Sequence, residues 1–196
     1  LWGILIATRK TKSCEEEGPM NNQYNQDGKK EGLWVKLYDN GVVQEERNYV
    51  NGVREGVYKS YYANGQLEII KNYKNGNLHG SYETFYNDGK ISSRHALIDG
   101  RIIGKYEEFY PNGTLKSCSE YVGDSTTPVK TIKYFPNGEK KMEANLKKGF
   151  LFGAYKEYHS NGVVYKIATY GEKGRLEGAY QEFNAEGVLI KECTYK

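Results

Sequence analysis

The sequence has few of the charge patterns on which common binding proteins depend. Its 28 basic and 25 acidic residues are well mixed, with no run of five or six charges of one sign. It therefore lacks the basic stripe that is typical of nucleic-acid-binding proteins, and attraction to anionic lipids should be weak. We expect no nucleic-acid partner.

Cysteine is scarce as well. Cys14, Cys118 and Cys193 are odd in number and do not have the spacing of a disulfide framework or a metal site. The low and odd number of cysteines is compatible with a reducing compartment. It favours a cytoplasmic location slightly over the cell envelope. The glycine motifs lack the Lys-Ser/Thr of a phosphate loop. We expect no metal ion and no cofactor.

Long hydrophobic runs are also missing. The apolar run at residues 1–7 (LWGILIA) is too short to span a bilayer, and basic residues follow it where a signal peptide would carry a small-residue cleavage site. We interpret residues 1–23 as an N-terminal extension that either caps the following structure or is disordered. The alternative that residues 1–7 are the remnant of a signal or anchor stays open.

Glycine and tyrosine are the abundant residues. The chain has 23 glycines and 19 tyrosines, whereas hydrophobic residues make up only 38% of it. A compact core of leucine, isoleucine and valine is therefore not expected. Tyrosine can replace such residues where its ring packs and its hydroxyl reaches water. This composition predicts a thin structure with many side chains near the surface.

A repeat of about 24 residues organises most of the chain. One set of turn glycines recurs in steps of 24, 24, 24, 25, 24 and 25 residues, and Asn precedes five of the seven. A Gly-x-x-x-Gly motif recurs with the same period, and an aromatic residue follows its second glycine by two positions. The turn glycines are Gly41, Gly65, Gly89, Gly113, Gly138, Gly162 and Gly187, and the aromatic residues are Trp34, Tyr58, Tyr82, Tyr106, Tyr155 and Tyr180.

Each unit is typical of a β-hairpin. Asn-Gly supplies the two positive-φ positions that a tight hairpin turn needs, and the flanking segments, such as residues 33–38 and 42–49, are rich in β-branched and aromatic residues. No 3.6-residue period is present, and glycines interrupt every ten to fourteen residues. The sequence predicts an all-β fold over residues 24–196, an elongated antiparallel single-sheet ribbon or solenoid of about seven tandem hairpins.

Strand alternation gives expectations about the two sheet faces. The row Leu37, Tyr61, Phe85, Phe109, Tyr134, Tyr158 and Phe183 never turns polar, so we expect it to form the core. The next residue is Tyr38, Tyr62, Tyr86, Tyr110 and Phe135, then His159 and Asn184, which places this second row nearer solvent. On the return strand, residues such as Val43 and Tyr49 are expected to share a face.

The pattern Gly-x-Tyr-x-x-Phe-Tyr-x-Asn-Gly-x-Leu, followed by Tyr-x-x-Gly-x-x-x-Gly, resembles the bacterial variant of the MORN repeat. Residues 104–113 (GKYEEFYPNG) match it best, and the resemblance covers about residues 24–196. The chain is also similar to the YwqK-like antitoxins, which consist of such repeats. The resemblance implies an all-β ribbon with a binding or antitoxin-like role and no catalytic residues. MORN repeats elsewhere are linked to phospholipid headgroups, membrane attachment and protein scaffolding.

The fifth repeat departs from the pattern. Pro128 replaces the strand-opening glycine, Thr131 replaces the aromatic residue, and residues 122–127 (VGDSTT) replace the glycine turn. We interpret residues 122–130 as an irregular junction. Two alternatives stay open, an insertion or bend between two sub-arrays, and a recognition loop that breaks the sheet.

No constellation of residues indicates an enzyme. His79, His95 and His159 occupy unrelated repeat positions, and neither Cys118 nor Cys193 has a histidine beside it. Several glutamates, among them Glu107, Glu108, Glu157 and Glu182, are expected on exposed first strands, but a thin ribbon offers little of the cleft that a carboxylate pair needs. We expect a non-catalytic protein.

The expected function is that of a binding scaffold for a protein or an extended peptide, with a toxin as one such partner. Tyr38, Tyr62, Tyr86 and Tyr110 are the predicted partner-binding residues, because they recur at about 10 Å, close to three residues of an extended peptide. The alternative for this row is packing between repeats. The alternative function is peripheral binding to anionic phospholipid, and open sheet edges also allow end-to-end self-association.

Overall fold

The computed structural model describes residues 21–123 and 126–196 and consists of one antiparallel β-sheet of 16 strands. The strands follow one another across the sheet in chain order, except that β4 pairs only with β3. The predicted fold class, an open antiparallel sheet of tandem hairpins, is confirmed. Residues 1–7 and the rest of the extension up to residue 20 lie outside the described residues.

The strands are two to nine residues long. One 3-10 turn, Glu172–Gly174, lies between β14 and β15, and no helix in the described residues is long and apolar enough to cross a membrane. The strands are β1 (Gln23–Tyr24), β2 (Lys30–Leu37), β3 (Val43–Val50), β4 (Val53–Arg54), β5 (Gly56–Tyr61), β6 (Leu67–Lys74), β7 (Asn77–Phe85), β8 (Ile91–Ile98), β9 (Arg101–Phe109), β10 (Leu115–Tyr121), β11 (Lys130–Tyr134), β12 (Lys140–Lys147), β13 (Phe150–Tyr158), β14 (Val164–Tyr170), β15 (Leu176–Phe183) and β16 (Leu189–Tyr195).

The irregular fifth repeat does not interrupt the sheet. Ser117 to Glu120 of β10 pair with Lys133 to Lys130 of β11, and the Val129 N–H donates to the Glu120 carbonyl. Strand β11 is short, with five residues. Strand pairing therefore continues from β10 through β11 to β12 across this repeat.

The Asn-Gly hairpin tips differ from the sequence expectation. In the second repeat the Gly65 N–H donates to the Tyr62 carbonyl at 2.8 Å, and Gly65 has a φ of 84°. Asn64 is not among the residues with positive φ, so the prediction of two positive-φ positions here was wrong. Asn64 serves through its side chain instead, since its Oδ1 accepts from the Gln66 N–H at 3.0 Å. A type I turn that ends in a left-handed glycine has this geometry.

The tight two-residue turns lie at the opposite edge of the sheet. Asn75 and Gly76 have φ values of 51° and 82°, and Lys74 pairs directly with Asn77. Positive φ at both central residues is the pattern of a type I′ hairpin turn. The same pattern occurs at Asn51-Gly52, Asp99-Gly100 and Lys148-Gly149, whereas Lys173-Gly174, also with positive φ, lies in the longer loop that contains the 3-10 turn.

A β-bulge in each hairpin changes which return-strand residues share a face. Val43 lies opposite Leu37, whereas Tyr49 lies opposite Gly32, with a register shift between them. Positions 32 and 37 are on opposite faces of β2, so Val43 and Tyr49 are too. The expectation that they share a face was wrong, because the bulge adds one unpaired residue to the return strand.

The buried residues lie on the face that we call the aromatic face, the face of Trp34, Tyr58, Tyr82, Tyr106, Tyr155 and Tyr180. Tyr155, Ala144 and Ala168 form its buried cluster, and Leu97 is also buried. The predicted core row lies on the opposite, outer face. None of its members is buried, and Leu37 is 53% exposed. That prediction was wrong because large residues oppose large ones on the outer face, as Leu37 does Val43, whereas the most buried ring, Tyr155, lies between two alanines on the aromatic face.

Side chains of each repeat bond to the backbone of the next at the Asn-Gly edge. The Asn64 Nδ2 donates to the Asn87 carbonyl at 3.1 Å. Asp88 replaces the asparagine in the third repeat and cannot donate, and there the Lys90 Nζ donates to the Pro111 carbonyl at 3.0 Å. The other members of this ladder are Asn40, Asn112, Asn137 and Asn161, which donate to Ala63, Pro136, Ser160 and Ala185.

The side chain of Asn22 forms two hydrogen bonds to the backbone of β2. The Val35 N–H donates to Asn22 Oδ1 at 2.7 Å, and Asn22 Nδ2 donates to the Val35 carbonyl at 3.1 Å. The amide of Asn22 thus satisfies the same backbone groups that a neighbouring strand would. Asn22 and β1 thus lie along the edge of β2.

Candidate functional site: the aromatic face

One row of cross-strand pairs runs the length of the aromatic face. Tyr58 pairs with Lys71, Lys71 with Tyr82, and Tyr82 with His95. The row passes the fifth repeat without an aromatic residue, since Tyr106 pairs with Ser119 and Ser119 with Thr131. It ends in Thr131, Ala144, Tyr155, Ala168, Tyr180 and Cys193, each paired with the next.

The residue between successive rings differs between the two halves of the row. Lys71 Nζ lies 4.5 Å from the ring centroid of Tyr58 and 5.4 Å from that of Tyr82. His95 stacks on Tyr82 at 4.8 Å and lies 5.0 Å from Tyr106. In the C-terminal half alanines take this position. The N-terminal repeats therefore present the ammonium of Lys71 and the imidazole of His95 between rings, whereas small alanine side chains lie between the rings of the C-terminal repeats.

A second aromatic row lies beside the first, opposite the glycines of the Gly-x-x-x-Gly motif. Tyr73 pairs with Gly56, and its ring lies edge-on to Tyr58 at 6.4 Å. Tyr170 pairs with Gly153 and contacts Tyr155 in the same way at 5.4 Å. A tyrosine that covers a strand glycine compensates for the missing side chain. These motif glycines therefore give the second row of rings room to pack on the sheet.

The outer face carries paired charges instead. Lys59 lies 3.7 Å from Glu46, and Arg94 lies 2.5 Å from Glu107. The Tyr61 hydroxyl donates to Glu46, and burial followed by this bond raises the pKa of Tyr61 to about 12. Glu46 and Glu107 on this face are thus compensated within the sheet.

The four tyrosines predicted to bind a partner make contacts between repeats. The hydroxyls of Tyr38, Tyr62 and Tyr86 donate to backbone carbonyls 23 residues further on, at 2.6–2.7 Å. The Tyr110 hydroxyl donates to the Tyr134 carbonyl at 2.9 Å. All four rings are half-buried. These contacts are those of the alternative reading, packing between repeats, and a role of the row in partner binding stays a prediction.

We expect Tyr62→Phe to lower the free energy of unfolding by about 1 kcal/mol. The variant loses the hydrogen bond that the Tyr62 hydroxyl donates to the Phe85 carbonyl. Phe135 occupies the position of Tyr62 in the fifth repeat and has no hydroxyl. Phe135→Tyr should raise stability by up to about 1 kcal/mol through a new bond to the next repeat. Urea unfolding measures both. Two variants without effect would show that these bonds contribute nothing.

The histidines lie apart, as the repeat alignment predicts. His79 Nδ1 lies 3.5 Å from Asp99, and His159 Nε2 contacts the Phe183 carbonyl at 2.9 Å, where other repeats use tyrosine. His95 lies between two tyrosine rings, and its Nδ1 is buried without a hydrogen-bond partner. Within residues 21–123 and 126–196 no group of three or more His, Cys, Asp and Glu side chains could hold a metal ion.

Burial lowers the pKa of His95 below its ordinary value of 6.5. The folded protein therefore binds fewer protons than the unfolded chain just below pH 6.5. The neutral His95 thus contributes stability above that pH, and this contribution is lost as the pH falls through the pKa of His95 in the folded protein. We expect the free energy of unfolding to fall between pH 7.5 and 5.5, and to fall less in His95→Gln. Urea unfolding at both pH values measures this. An equal fall in the variant would contradict it.

The glutamates named in the sequence lie on both faces and form no acid pair. Glu157 bonds Lys166 at 2.7 Å and accepts from the Tyr155 hydroxyl. Glu182 accepts from the Tyr180 hydroxyl, and Glu107 pairs with Arg94 on the outer face. Burial acts to raise the pKa of Glu157, but the bonds from Lys166 and Tyr155 outweigh it and lower the pKa. These groups are partners in local ion pairs and hydrogen bonds.

One edge of the sheet carries exposed phenylalanines beside lysines. Phe150 is 54% exposed and Phe152 is 37% exposed. Lys148 and Lys173 occupy left-handed turn positions, with φ values of 52° and 59°, where other repeats have asparagine or aspartate. Lysine adopts this conformation less readily than those residues. We call residues 147–152 and 172–175 the phenylalanine edge.

Sequence reasoning missed the cations of the aromatic face. His95 aligns with Arg47 and Lys71 in the repeat frame, so the recurrence is visible in the chain. Their position between rings follows only from the strand register, which the bulge sets. The signal that could have found them is the constant separation of 13 residues between an aromatic residue and a basic one, from Trp34 to Arg47, from Tyr58 to Lys71 and from Tyr82 to His95.

Seven hairpins in one open sheet, with rings repeating along one face, define a tandem β-hairpin repeat protein. The family model described as MORN repeat variant matches residues 30–51, 54–75, 78–95, 103–122, 153–171 and 176–196. These segments cover more than half of the chain, which therefore belongs to the MORN repeat variant family. The fifth hairpin, which lacks the aromatic residue and the glycine turn, is not matched. No curated protein matches the chain.

Proposed function

We propose that this protein is a non-catalytic scaffold that binds a protein partner in extended conformation along the aromatic face. One observation carries the proposal. The aromatic face presents two parallel rows of rings, with Lys71 and His95 between rings of the first row, and no second layer of the described structure covers it. Tyrosine and arginine side chains in such surfaces often dominate binding energy.

The spacing of the rings supports an extended partner. Each repeat adds two strands, and strands lie about 4.8 Å apart, so equivalent rings recur at about 10 Å. Three residues of an extended peptide cover nearly the same distance at about 3.3 Å each. Tyr38, Tyr62, Tyr86 and Tyr110 stay in the proposal as a flanking row. A partner would meet only their rings there, because their hydroxyls are already bonded.

Site-specific photocrosslinking tests the proposal. A photoreactive amino acid replaces Lys71 on the aromatic face or, in the matched control, Lys59 on the outer face of the same hairpin. The full-length variants are incubated with lysate of the source cells and irradiated, and crosslinked proteins are identified by mass spectrometry. The proposal predicts one protein that crosslinks from position 71 and not from position 59. Crosslinks only from position 59, or from neither, would contradict it.

A toxin is the narrower form of this proposal, and its support is the similarity of the repeat pattern to YwqK-like antitoxins. In that case the crosslinked partner arrests growth when produced alone, and co-production of this chain relieves the arrest. A partner without toxicity would leave the scaffold proposal in place and remove the antitoxin role.

A second candidate function, peripheral binding to anionic phospholipid, is favoured by the phenylalanine edge. Exposed rings beside lysines suit a surface that is anionic outside and apolar within. The test is sedimentation with phosphatidylcholine vesicles, with and without phosphatidylserine. This candidate predicts binding only with phosphatidylserine and its loss in Phe150→Ser/Phe152→Ser. Binding that is unchanged in this variant, or absent altogether, would exclude the edge as a membrane site.

A further inference from the structure

The positive charge of the aromatic face is concentrated in its first two repeats. Five cations lie there, against the carboxylates of Glu45 and Glu68. Five cations and two carboxylates leave an excess of three positive charges there. The five are Lys30, Lys36, Arg47, Arg54 and Lys71, and we call them the cationic end.

Aromatic rings hold the cations of this end. Lys30 Nζ lies 4.2 Å from the ring centroid of Trp34 and 5.2 Å from that of Tyr49. Arg54 donates to the Tyr73 hydroxyl at 3.1 Å and lies 5.3 Å from its ring. Contact with a ring stabilises a cation without neutralising it. The charges are therefore positioned in advance and still able to attract an anion.

The nearby carboxylates are already engaged. Glu45 pairs with Arg47, and Glu68 accepts from the Ser60 hydroxyl at 3.1 Å. Within the described residues Lys30, Arg54 and Lys71 have no ion pair to a carboxylate. These three groups can therefore pair with an anion from outside the sheet.

The described residues beyond the second repeat do not group cations in this way. On the aromatic face of the sixth repeat, Lys166 pairs with Glu157 at 2.7 Å, and alanines lie between the rings. On the outer face of the second and third repeats, Lys59 and Arg94 pair with carboxylates. Single lysines elsewhere also lack an ion pair among the described residues, such as Lys191 near the ring of Tyr180, but the first two repeats group Lys30, Arg54 and Lys71 on one face.

We infer that the cationic end binds an acidic extended segment whose carboxylates stand three residues apart. Lys30 and Arg54 occupy equivalent positions of successive repeats, and so do Arg47 and Lys71. Each pair is therefore about 10 Å apart, the span of three extended residues. This inference rests on the proposed function and adds the partner's chemistry and its location.

A protein segment fits this end better than single-stranded nucleic acid. Base stacking needs open ring faces on which successive bases can lie. Here Trp34 and Tyr49 meet edge to face at 75°, Tyr58 and Tyr73 at 74°, and lysines cover the rings. Carboxylates need only reach the cations.

Fluorescence anisotropy with synthetic peptides tests the inference on the full chain. The probe is a labelled twelve-residue peptide of glutamate, serine and glycine with glutamate at every third position. Its control has the same composition with the glutamates contiguous. The protein variant is Lys30→Gln/Lys71→Gln, and its matched control is Lys59→Gln/Lys156→Gln, which removes the same charge from the outer face. A labelled oligothymidylate of the same length is the nucleic-acid arm.

The expected result is binding of the periodic peptide at least several-fold tighter than that of the contiguous one. Lys30→Gln/Lys71→Gln should weaken it about tenfold, because two charge contacts are lost, and the outer-face control should leave it unchanged. Binding should also weaken as ionic strength rises. No binding of the periodic peptide, equal loss in both double variants, or tighter binding of the oligothymidylate would overturn the inference.

Failure of this inference is distinguishable from failure of the scaffold proposal. A cellular partner that crosslinks from position 71, together with absence of peptide binding, would retain the scaffold and reject the acidic segment. Peptide binding that is lost in Lys30→Gln/Lys71→Gln, without any cellular crosslink from position 71, would retain the anion-binding surface and reject the scaffold.

Discussion

Tyr155→Ala is expected to lower the free energy of unfolding by about 3–5 kcal/mol, the usual cost of removing a buried aromatic ring. Tyr155 is 9% exposed, lies between Ala144 and Ala168 and contacts Tyr170 at 5.4 Å. Alanines on both sides cannot fill the space that the ring leaves. Because each repeat contacts only its neighbours, the loss should be local to the C-terminal repeats.

Native-state hydrogen exchange measures this prediction directly. Amides of β12 to β15 should lose protection in the variant, while those of β5 to β8 keep most of theirs. Tyr158→Ala is the matched control, on the same strand but on the outer face, where the ring is half-buried. Its effect should be clearly smaller. A larger effect of Tyr158→Ala would mean that the outer face, and not the aromatic face, holds the stabilising core.

Gly76→Val should cost about 2 kcal/mol or more and is the second large effect that we expect. Gly76 has a φ of 82°, a conformation that a β-branched residue adopts only under strain, and a Cβ there would lie 3.4 Å from Val53 Cγ1. Thermal unfolding measures the loss. Asn75→Gly is the control at the same turn, and since glycine accepts positive φ freely, it should change stability by less than about 0.5 kcal/mol.

Equal destabilisation by both variants would contradict the type I′ assignment of this turn. It would mean that the Asn75 side chain, and not the backbone conformation, supports the turn.

The hairpin array could be predicted because its signals are local. Glycines at the turns and aromatic residues two positions after a motif glycine mark each strand, so the seven hairpins and their antiparallel order follow from the chain alone. Even the degenerate fifth hairpin was placed correctly, since Asn137-Gly138 keeps the period after the glycine motif is lost.

The choice of the buried face could not be predicted in the same way. Strict alternation puts Val43 and Tyr49 on one face, but the bulge between them separates the faces, and no residue type marks it in the sequence. The uniform row that begins with Leu37 was a misleading signal, because a one-layer sheet buries rings against small neighbours on the same face. The glycine opposite Tyr49, Gly32, was the better indicator.

The candidate site was missed for a related reason. The tyrosines of the Tyr38 row look exposed in sequence, because nothing local shows that a hydroxyl reaches a carbonyl 23 residues away. The role of the cations on the aromatic face depends on their contact with rings of the neighbouring strands, such as the contact of Lys71 with Tyr58 and Tyr82. The sequence alone does not show these contacts. Contacts between repeats depend on register, which single-residue patterns do not contain.

The bonds that join successive hairpins have a direction. At the Asn-Gly edge Tyr62 and Asn64 donate forward to the backbone of the next hairpin, and at the other edge Glu55 accepts from the Asn75 N–H. In the bonds of Tyr62 and Asn64 the side chain belongs to the earlier hairpin and the backbone group to the later one. During synthesis the N-terminal hairpin emerges first, so each new hairpin docks onto side chains that are already in place. The array is thereby suited to grow from its N-terminus, one hairpin at a time, as the ribosome releases it.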